Sequence, residues 1–431
     1  MNPNPDAHYP TPAELEAGAR ALTASHPALT RLHRTGTSRA GHPLWLLSVG
    51  HGIRPPGGPG PRPDRTPRDV LVVAGAHANE PVGGPTALAL AHRVLREEDL
   101  RADSVWHFLL CADPDGAALH RTPRPEGLLD YHRNFYRPPG PEQPEWAPSL
   151  VPPDRLPPES RALVDLIDEV RPLLQVSLHG TDLGGSWVQL TRDLPGLAEP
   201  FGKSAAELRI PLETSASDAA GWSSSGPGVF VMPGPAGTPA GSFHPEDPRL
   251  STWYRAHRHG GTTAVVEVPM WASDLVDDPA PHPDPRAALA VLARRLEADA
   301  GAVAALLTEV RPDLPPAEGA PLLRAVEWTL TLVPRIVGAW SRSAPAEATA
   351  AYVGSLDAFG QRLVLRAAAM LLRELRAAGH PAAPALDRRV TGWCESFAAR
   401  FGARWVPVDV QVEHQARAVV AAYERALAVS R

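Results

Sequence analysis

The chain has 431 residues, of which 43% are hydrophobic and 21% are charged. Both fractions are close to the globular average, which argues against wholesale disorder and allows a sizeable core. The formal net charge is −6, so nucleic acid is not expected as a partner, because its binding usually needs a basic patch. The length predicts two or three domains, or one large domain with an addition.

Neither a secretion signal nor a membrane span is predicted. The N-terminus lacks the charged start and apolar stretch of a signal peptide. No run of about 20 apolar residues occurs, so no membrane partner is expected. The two cysteines, Cys111 and Cys394, exclude a disulfide framework and a cysteine-based zinc knuckle. We therefore expect a cytoplasmic protein, and its oligomeric state stays open.

The first predicted elements are a helix and two strands. Thr11 and Glu14 form a capping-box pattern, which is typical of the start of a helix and predicts one over 11–26. A turn followed by a strand is predicted over 36–52. Residues 69–80 are a short apolar, β-branched run that ends in glycine and polar residues, which indicates a buried strand of an α/β sheet.

Helices and strands then alternate as far as residue 271. This alternation is typical of a mixed, mostly parallel open sheet covered by helices on both faces, an α/β fold. Two proline-rich segments, 54–67 and 137–158, cannot form helices or central strands and are predicted to be long surface loops. The other predicted elements are helices over 85–98 and 160–172 and strands over 105–116, 173–180 and 262–271.

The composition changes after about residue 284. The remaining chain is rich in Ala, Leu and Arg with helical periodicity, and glycine and proline punctuate it. Four to six helices are predicted there, packed as an accessory layer or small bundle. The chain is therefore predicted to have a catalytic domain over 1–284 and an all-α accessory domain over 285–431.

A candidate metal site begins at the end of the strand predicted over 69–80. His77 and Glu80 stand three positions apart at the start of a turn, where both side chains can converge on one cation. Ligand sites in open α/β sheets lie at this end of the strands. Catalytic zinc takes three nitrogen or oxygen ligands from the protein and keeps one open position for water.

Two further strands end in residues that could complete this site. His179 ends the apolar run LLQVSLHG, so its imidazole is expected at the same edge of the sheet. Glu267 stands within the run VVEVP, where a buried carboxylate needs a cation, a metal-bound water or an active-site role. An HxxE motif alone is weak evidence, whereas four such residues, each at the end of or inside a predicted strand, are a much more specific pattern.

Residues 9–275 resemble the zinc carboxypeptidase family, the carboxypeptidase A-like funnelins. GAHANEPVGG is similar to the family's HxxE metal motif, SLHG to its second histidine and AVVEVP to its general-base glutamate. ADPDG over 112–116 and DYHRNF over 130–135 resemble two further family segments. The resemblance implies an α/β zinc-peptidase fold and one zinc ion.

The resemblance also implies a role for each matching residue. His77, Glu80 and His179 match the zinc ligands. Glu267 matches the residue that takes a proton from water and passes it to the leaving amine. Arg133 matches the arginine that pairs with the substrate's terminal carboxylate, which a guanidinium fork suits.

Other positions match the family less closely. A second arginine, which polarises the scissile carbonyl, corresponds to Arg121 or to Arg124. His132 stands where the family has an asparagine before the carboxylate-binding arginine, and can still donate a hydrogen bond. The family's active-site tyrosine corresponds to His244 by spacing, and Tyr254 is the other candidate.

The predicted function is zinc-dependent hydrolysis of peptide or amide bonds. The resemblance favours a metallocarboxypeptidase that acts on a peptide or amino-acid derivative with a free carboxylate. The first alternative is a zinc amidohydrolase for N-acyl amino acids, which the absence of an obvious tyrosine match favours. The second is a catalytically inactive relative that binds peptides.

Overall fold

The computed structural model describes residues 7–53, 68–120, 122, 124–234, 247–342 and 348–430. Its centre is a single β-sheet. The strands are β1 Thr30–Thr37, β2 Pro43–Val49, β3 Val70–Val73, β4 Trp106–Leu109, β5 Leu174–Gly184, β6 Trp187–Leu190, β7 Ser223–Gly226, β8 Val229–Val231, β9 Thr262–Ala272 and β10 Arg404–Trp405. They follow the spatial order β1-β2-β4-β3-β5-β9-β6-β8-β7, with β10 paired to β9.

Helices surround this sheet and dominate the C-terminal part of the described chain. They are α1 Pro12–Ser25, α2 Gly83–Arg96, α3 Glu98–Arg101, α4 Pro114–Leu119, α5 Leu128–Arg133, α6 Ala147–Leu150, α7 Pro158–Val170, α8 Ala198–Glu207, α9 Pro285–Val310, α10 Pro321–Arg342, α11 Ala350–Ala377, α12 Ala383–Phe401 and α13 Val408–Val429. None of the described helices combines the length and the apolar character that crossing a membrane requires.

The sheet is parallel in its centre and antiparallel towards its edges. Neighbouring strands run parallel from β4 through β3 and β5 to β9. β2 joins β4, and β6 joins β9, in antiparallel pairs. The predicted α/β class is confirmed, with a sheet that is mixed as a whole.

Both faces of the sheet are covered, because successive strand residues point to opposite sides. Val70 and Val72 of β3 pack in one hydrophobic cluster with residues of α1, α2 and α13. Leu71 and Val73 pack in another cluster, with residues of α7. This arrangement explains why the central strands are continuous apolar runs rather than alternating ones.

Most predicted elements are present, and the capping box of α1 forms as expected. The Glu14 amide donates to the Thr11 hydroxyl, and the Thr11 amide donates to the Glu14 carboxylate at 2.7 Å. The turn and strand predicted over 36–52 are the end of a hairpin, because Thr30–Thr37 already forms the preceding antiparallel strand. No elements were predicted between β5 and β9, where β6, β7 and β8 extend the sheet and α8 forms a further helix.

The prediction of a surface loop over 137–158 is wrong for its first half. Gln143, Glu145 and Trp146 are buried, and Glu145 is fully so. The prediction that the segment forms no helix is also wrong, because the short helix α6 lies within it, with a proline in its first turn, where a missing amide hydrogen is tolerated. Proline does not exclude burial either, and the first half of the segment packs against the strand ends. The other predicted loop, 54–67, lies outside the described residues.

Among the described residues, five helices follow residue 284, within the predicted range. Residues of α9, α10, α11 and α12 share one hydrophobic cluster, as expected for a small bundle. α13 instead packs on the sheet face that α2 covers. Tyr423 of α13 lies 4.9 Å from the ring of Trp106 in β4, and its hydroxyl lies 2.8 Å from that of Ser104. The division at residue 284 stays a prediction, although the last helix contributes to the core around the sheet.

The packing of α13 predicts a large loss of stability when Tyr423 is truncated. We expect Tyr423→Ala to lower the free energy of unfolding of the whole chain by about 3–5 kcal/mol, as for other buried aromatic residues. Chemical denaturation followed by circular dichroism measures this. Glu424→Ala, the exposed neighbour on the same helix, is the control and should change it by less than about 0.5 kcal/mol. Equal stability of the two variants would contradict the packing of α13 on the sheet.

Candidate metal centre and active site

Three adjacent parallel strands bring the predicted metal-site residues to one edge of the sheet. β3 lies beside β5, with Val73 opposite Ser177, so the turn that carries His77 follows at that edge. β5 lies beside β9, and in this register His179 is the direct partner of Glu267. The site is therefore a consequence of strand order and register rather than of proximity in sequence.

His77, Glu80 and His179 converge around one point. Their potential ligand atoms all lie within 4.8 Å of one another, and all three residues are buried. His77 Nδ1 lies 3.0 Å from Glu80 Oε2, and His179 Nδ1 lies 2.8 Å from the same oxygen. Ligand atoms about 2.0–2.2 Å from a tetrahedral zinc ion would be roughly 3.3 Å apart, so this spacing suits such an ion.

The chemistry of the three residues also fits zinc. Two imidazoles and one carboxylate are a common ligand set of catalytic zinc and leave a position open for water. Burial, followed by the charge of Arg137, lowers the pKa of His77 to about 4. His77 is therefore neutral at physiological pH, as a metal ligand must be. The observed spacing and donor set make these residues a candidate zinc site.

His179 is held by a second buried carboxylate that the sequence did not suggest. Its Nε2 donates to Glu145 Oε2 at 2.9 Å, and the Trp253 indole donates to the same oxygen at 2.8 Å. Burial opposes the charged imidazolium, yet Glu145 and Glu80 together raise the pKa of His179 well above its usual value. A bound cation would displace the extra proton of the His179 imidazolium, while the Glu145 carboxylate would keep the imidazole ring oriented.

Glu267 lies beside this cluster without joining it. Its Oε1 is 4.0 Å from His179 Nδ1. Burial first, and then repulsion by Glu80, raise the pKa of Glu267 to about 8. A cation in the adjacent site would lower that pKa again. A carboxyl group that changes protonation near neutral pH is suited to carrying a proton in a reaction.

The backbone beneath these residues is braced by α13. The side-chain amide of Gln415 donates to the carbonyl of His179 at 2.7 Å and to that of Val266 at 3.0 Å. One buried amide thus spans β5 and β9 next to the two functional side chains. No signal in the sequence identified this contact, because it joins residues more than 140 positions apart.

An unpredicted arginine lies at the metal cluster. Arg137 Nη1 donates to Glu80 Oε1 at 2.8 Å, and Nη2 lies 3.1 Å from His77 Nε2. Arg137 stands four positions after Arg133 in the segment that resembles the family. This closeness to Arg133 is the only sequence signal that could have identified Arg137. The prolines that follow it predict a surface loop, so the sequence did not single it out.

The structure does not bring Arg133 and His132 into the pocket. Arg133 donates to both carboxylate oxygens of Asp387 in α12, at 2.9–3.0 Å. His132 is fully buried and its Nδ1 donates to the carbonyl of Leu128 at 2.7 Å. Burial lowers the pKa of His132 to about 4, so it is neutral. Their predicted substrate contacts stay predictions.

The remaining predicted positions are outside the pocket or outside the described chain. Arg124 is exposed and does not line the pocket. The hydroxyl of Tyr254 donates to the carbonyl of Pro233 at 2.7 Å, away from the metal cluster. Arg121 and His244 lie outside the described residues, so their predicted roles stay predictions.

A pocket opens over His77, Glu80, His179 and Glu267, and the helical region forms part of its wall. Trp187 and Gln189 of β6 contribute another part. From α10 and α11, the lining residues are Trp328, Thr329, Leu332, Ile336, Phe359, Arg362, Leu363 and Arg366. A bundle predicted from sequence as an accessory thus contributes directly to the candidate active site.

Comparison with known proteins agrees with the geometry of the site. A sequence model of the family described as zinc carboxypeptidase matches residues 15–187, which include His77, Glu80 and His179 but not Glu267. Carboxypeptidase D of Drosophila melanogaster is 31% identical over 138 residues, covering 28% of this chain. The match spans only 9% of that relative's length.

Solved structures that match part of the chain include two carboxypeptidases. Carboxypeptidase A from Helicoverpa armigera is 17% identical, with a TM-score of 0.39, over 61% of this chain and 65% of that one. A metallo-carboxypeptidase from Burkholderia cenocepacia is 18% identical, with a TM-score of 0.36, over 59% of each chain. The likeness to zinc carboxypeptidases rests on the sequence match, which contains the three residues of the metal cluster. Residues 15–187 of this chain are thus similar to the zinc carboxypeptidase family.

Proposed function

We propose that this protein is a zinc-dependent hydrolase of peptide or amide bonds, and specifically a metallocarboxypeptidase that removes C-terminal residues. The observation that carries the proposal is the convergence of His77, Glu80 and His179 within 4.8 Å, with Glu267 beside them at the floor of a pocket. The match of residues 15–187 to the zinc carboxypeptidase family supports the same reaction.

One zinc ion, held by His77, Glu80 and His179, would polarise the substrate carbonyl and lower the pKa of a water molecule. Glu267 accepts a proton from the attacking water and delivers it to the departing nitrogen. Water is thereby added across the C–N bond, which yields one carboxylate and one amine. The raised pKa of Glu267 and its place beside His179 support this proton-carrying role.

Arg137 is the described arginine best placed to assist at the carbonyl. Its guanidinium lines the pocket and contacts both Glu80 and His77. A fixed positive charge at this place would stabilise the developing oxyanion. This is the role that the resemblance implies for Arg121 or Arg124. Of those two, Arg124 is exposed, and Arg121 remains a candidate outside the described residues.

The rival activity is hydrolysis of N-acyl amino acids by the same centre. The wall that α10 and α11 place over the pocket favours this alternative, since a covered pocket suits small substrates. Release of C-terminal residues from peptides would support the carboxypeptidase. Activity confined to N-acyl amino acids would support the amidohydrolase, and no zinc with no turnover would support an inactive peptide-binding relative.

The metal cluster predicts the zinc content and its dependence on named ligands. We expect about one zinc per purified chain and loss of hydrolysis on treatment with a chelator. His179→Ala should weaken zinc binding more than about 100-fold, beyond the effect typical of outer-shell partners. His92→Ala removes an exposed imidazole from α2 and is the matched control. Zinc measured by mass spectrometry at equal levels in both variants would contradict the ligand assignment.

The position of Glu267 predicts a defect in turnover without a defect in metal binding. Glu267→Gln keeps the size of the side chain but cannot carry the proton, so kcat should fall roughly 10²- to 10⁴-fold. Zinc content should stay unchanged. Steady-state rates of hydrolysis of N-acyl dipeptides measure the effect. Glu297→Gln, at an exposed position of α9, is the control. Unchanged kcat with zinc bound would remove Glu267 from the mechanism.

The contact between Glu145 and His179 predicts a role in metal affinity. Glu145→Gln replaces a charged acceptor of the His179 Nε2–H by a weaker one, so zinc affinity should fall about 10- to 100-fold. Competition with a chromophoric chelator measures it. Glu142→Gln changes the same loop at a residue paired with Arg39 and Arg324, and should leave the affinity unchanged. Equal affinities would show that Glu145 only packs.

A further inference from the structure

Helix α11 presents two arginines to the same pocket as the metal cluster. Arg362 and Arg366 both line it, together with His179 and Glu267. They stand four positions apart, so they occupy the same face of the helix. Neither was singled out in the sequence, where arginine is frequent throughout the helical region.

The two arginines share one carboxylate. Asp182 of β5 is fully buried and accepts from Arg366 Nη2 at 3.1 Å and, more weakly, from Arg362 Nη1 at 3.4 Å. The imidazole of His132 lies 3.7 Å from the same carboxylate but is neutral, because burial lowers its pKa to about 4. The two guanidinium groups thus share one directly bonded carboxylate, and Asp218 lines the same pocket.

Arg362 bonds the Asp182 carboxylate less directly than Arg366 does. Arg366 makes the shorter bond to Asp182 and lies over the ring of Phe135 at 5.0 Å. Arg362 Nη1 donates mainly to the Thr181 hydroxyl at 2.6 Å, and its guanidinium lies over the ring of Phe359 at 5.6 Å. The Nε atoms of both arginines are buried and have no hydrogen-bond partner among the described residues. Burying a guanidinium donor without a partner is costly, so an anionic ligand would be favoured there.

The charge of Arg362 persists despite its surroundings. Burial alone would lower its pKa, but Asp182, Asp218 and other nearby carboxyl groups raise it overall. Glu213 also lines the pocket, where it accepts from the Ser355 hydroxyl and from the Gly185 amide, and burial raises its pKa. Arg362 therefore offers a positive charge on this wall, beside the carboxyl groups of Asp182 and Asp218.

The contact between Arg362 and Thr181 places Arg362 near the candidate metal ligands. Its partner Thr181 follows His179 by two positions in β5, so both residues face the same side, about 6–7 Å apart along the strand. A terminal carboxylate lies about one residue, roughly 3.8 Å, beyond the bond that is cleaved. With a guanidinium–carboxylate contact added, this span fits a substrate held between the metal site and Arg362.

We propose that Arg362, supplied by the C-terminal helical region, binds the carboxylate of the substrate. The inference rests on the proposed function and names the recognition element of that site. The resemblance implies that Arg133 binds this carboxylate, but Arg133 is paired with Asp387. The helices after residue 284 thus set the specificity for substrates with a free C-terminal carboxylate. A ligand that lacks this carboxylate should bind more weakly.

The test is a binding measurement that needs no turnover. In full-length zinc-loaded Glu267→Gln protein, calorimetry compares N-acetyl-Ala-Phe with its C-terminal amide. We expect the acid to bind about 10- to 100-fold more tightly than the amide, as for hydrogen bonds to charged groups. Adding Arg362→Gln should remove that preference by weakening the acid alone. Arg362→Lys keeps the charge and should retain part of the preference.

Two control variants on the same background show whether the preference belongs to Arg362 itself. Arg376→Gln removes a charge from the same helix outside the pocket, and should leave both affinities unchanged. Arg133→Gln should likewise preserve the preference for the acid. If Arg362→Gln, still folded by circular dichroism, keeps the preference, or if Arg133→Gln abolishes it, the inference is wrong. If Arg362→Gln does not fold, Arg362→Lys decides the question. A preference for the acid that is unreduced in Arg362→Lys, or lost completely, would also overturn the assignment.

Failure of the inference can be told apart from failure of the proposed function. Chelator-sensitive turnover by the unmodified protein, with an unchanged acid preference in Arg362→Gln, overturns the inference and keeps the hydrolase. An acid preference that depends on Arg362, in a protein without zinc-dependent turnover, supports the carboxylate site and overturns the hydrolase. No preference between acid and amide in the parent protein overturns the inference.

Discussion

The parallel pairing of β5 with β9 is the constraint on which the candidate site depends. It makes His179 and Glu267 direct neighbours across two strands, and β3 on the other side of β5 leads the chain to His77 and Glu80. A shift of one residue in this register would turn either side chain to the opposite face of the sheet. The apolar residues that alternate with them pack against helices on both faces, so the hydrophobic core holds the register and thereby the polar cluster.

Burying so many charges at one edge requires that each has a partner. Glu80 is paired with Arg137 and contacts the two imidazoles, and Glu145 accepts hydrogen bonds from His179, Trp253 and Ser177. Such a network is stable only when nearly all its members are satisfied. Glu267 is the exception, because it meets mainly repulsion and burial, and its pKa rises as a result. The least compensated carboxyl group lies where the proposed reaction needs a proton carrier.

The helical region is integrated with the sheet in two ways. Gln415 of α13 donates to the backbone carbonyls of His179 and Val266, beside the candidate site. Further along the same helix, the ring of Tyr423 packs against Trp106 of β4. α11 approaches from another side, and its arginines are held by Asp182 at the end of β5. Contacts of this kind make the helices part of the pocket, so changes in that region can alter specificity without altering the metal ligands.

The sequence by itself determined the α/β class, the buried central strands, the capped first helix and the four polar residues of the candidate site. These follow from local signals, namely apolar runs, a capping pattern and polar residues placed where strands end. Tertiary structure alone decided that Glu145 orients His179, that Arg137 reaches Glu80, and that Arg133 turns to Asp387 while Arg362 enters the pocket. A guanidinium reaches far from its own backbone, so its partner depends on which distant carboxylate the fold brings near, and sequence spacing does not encode that distance.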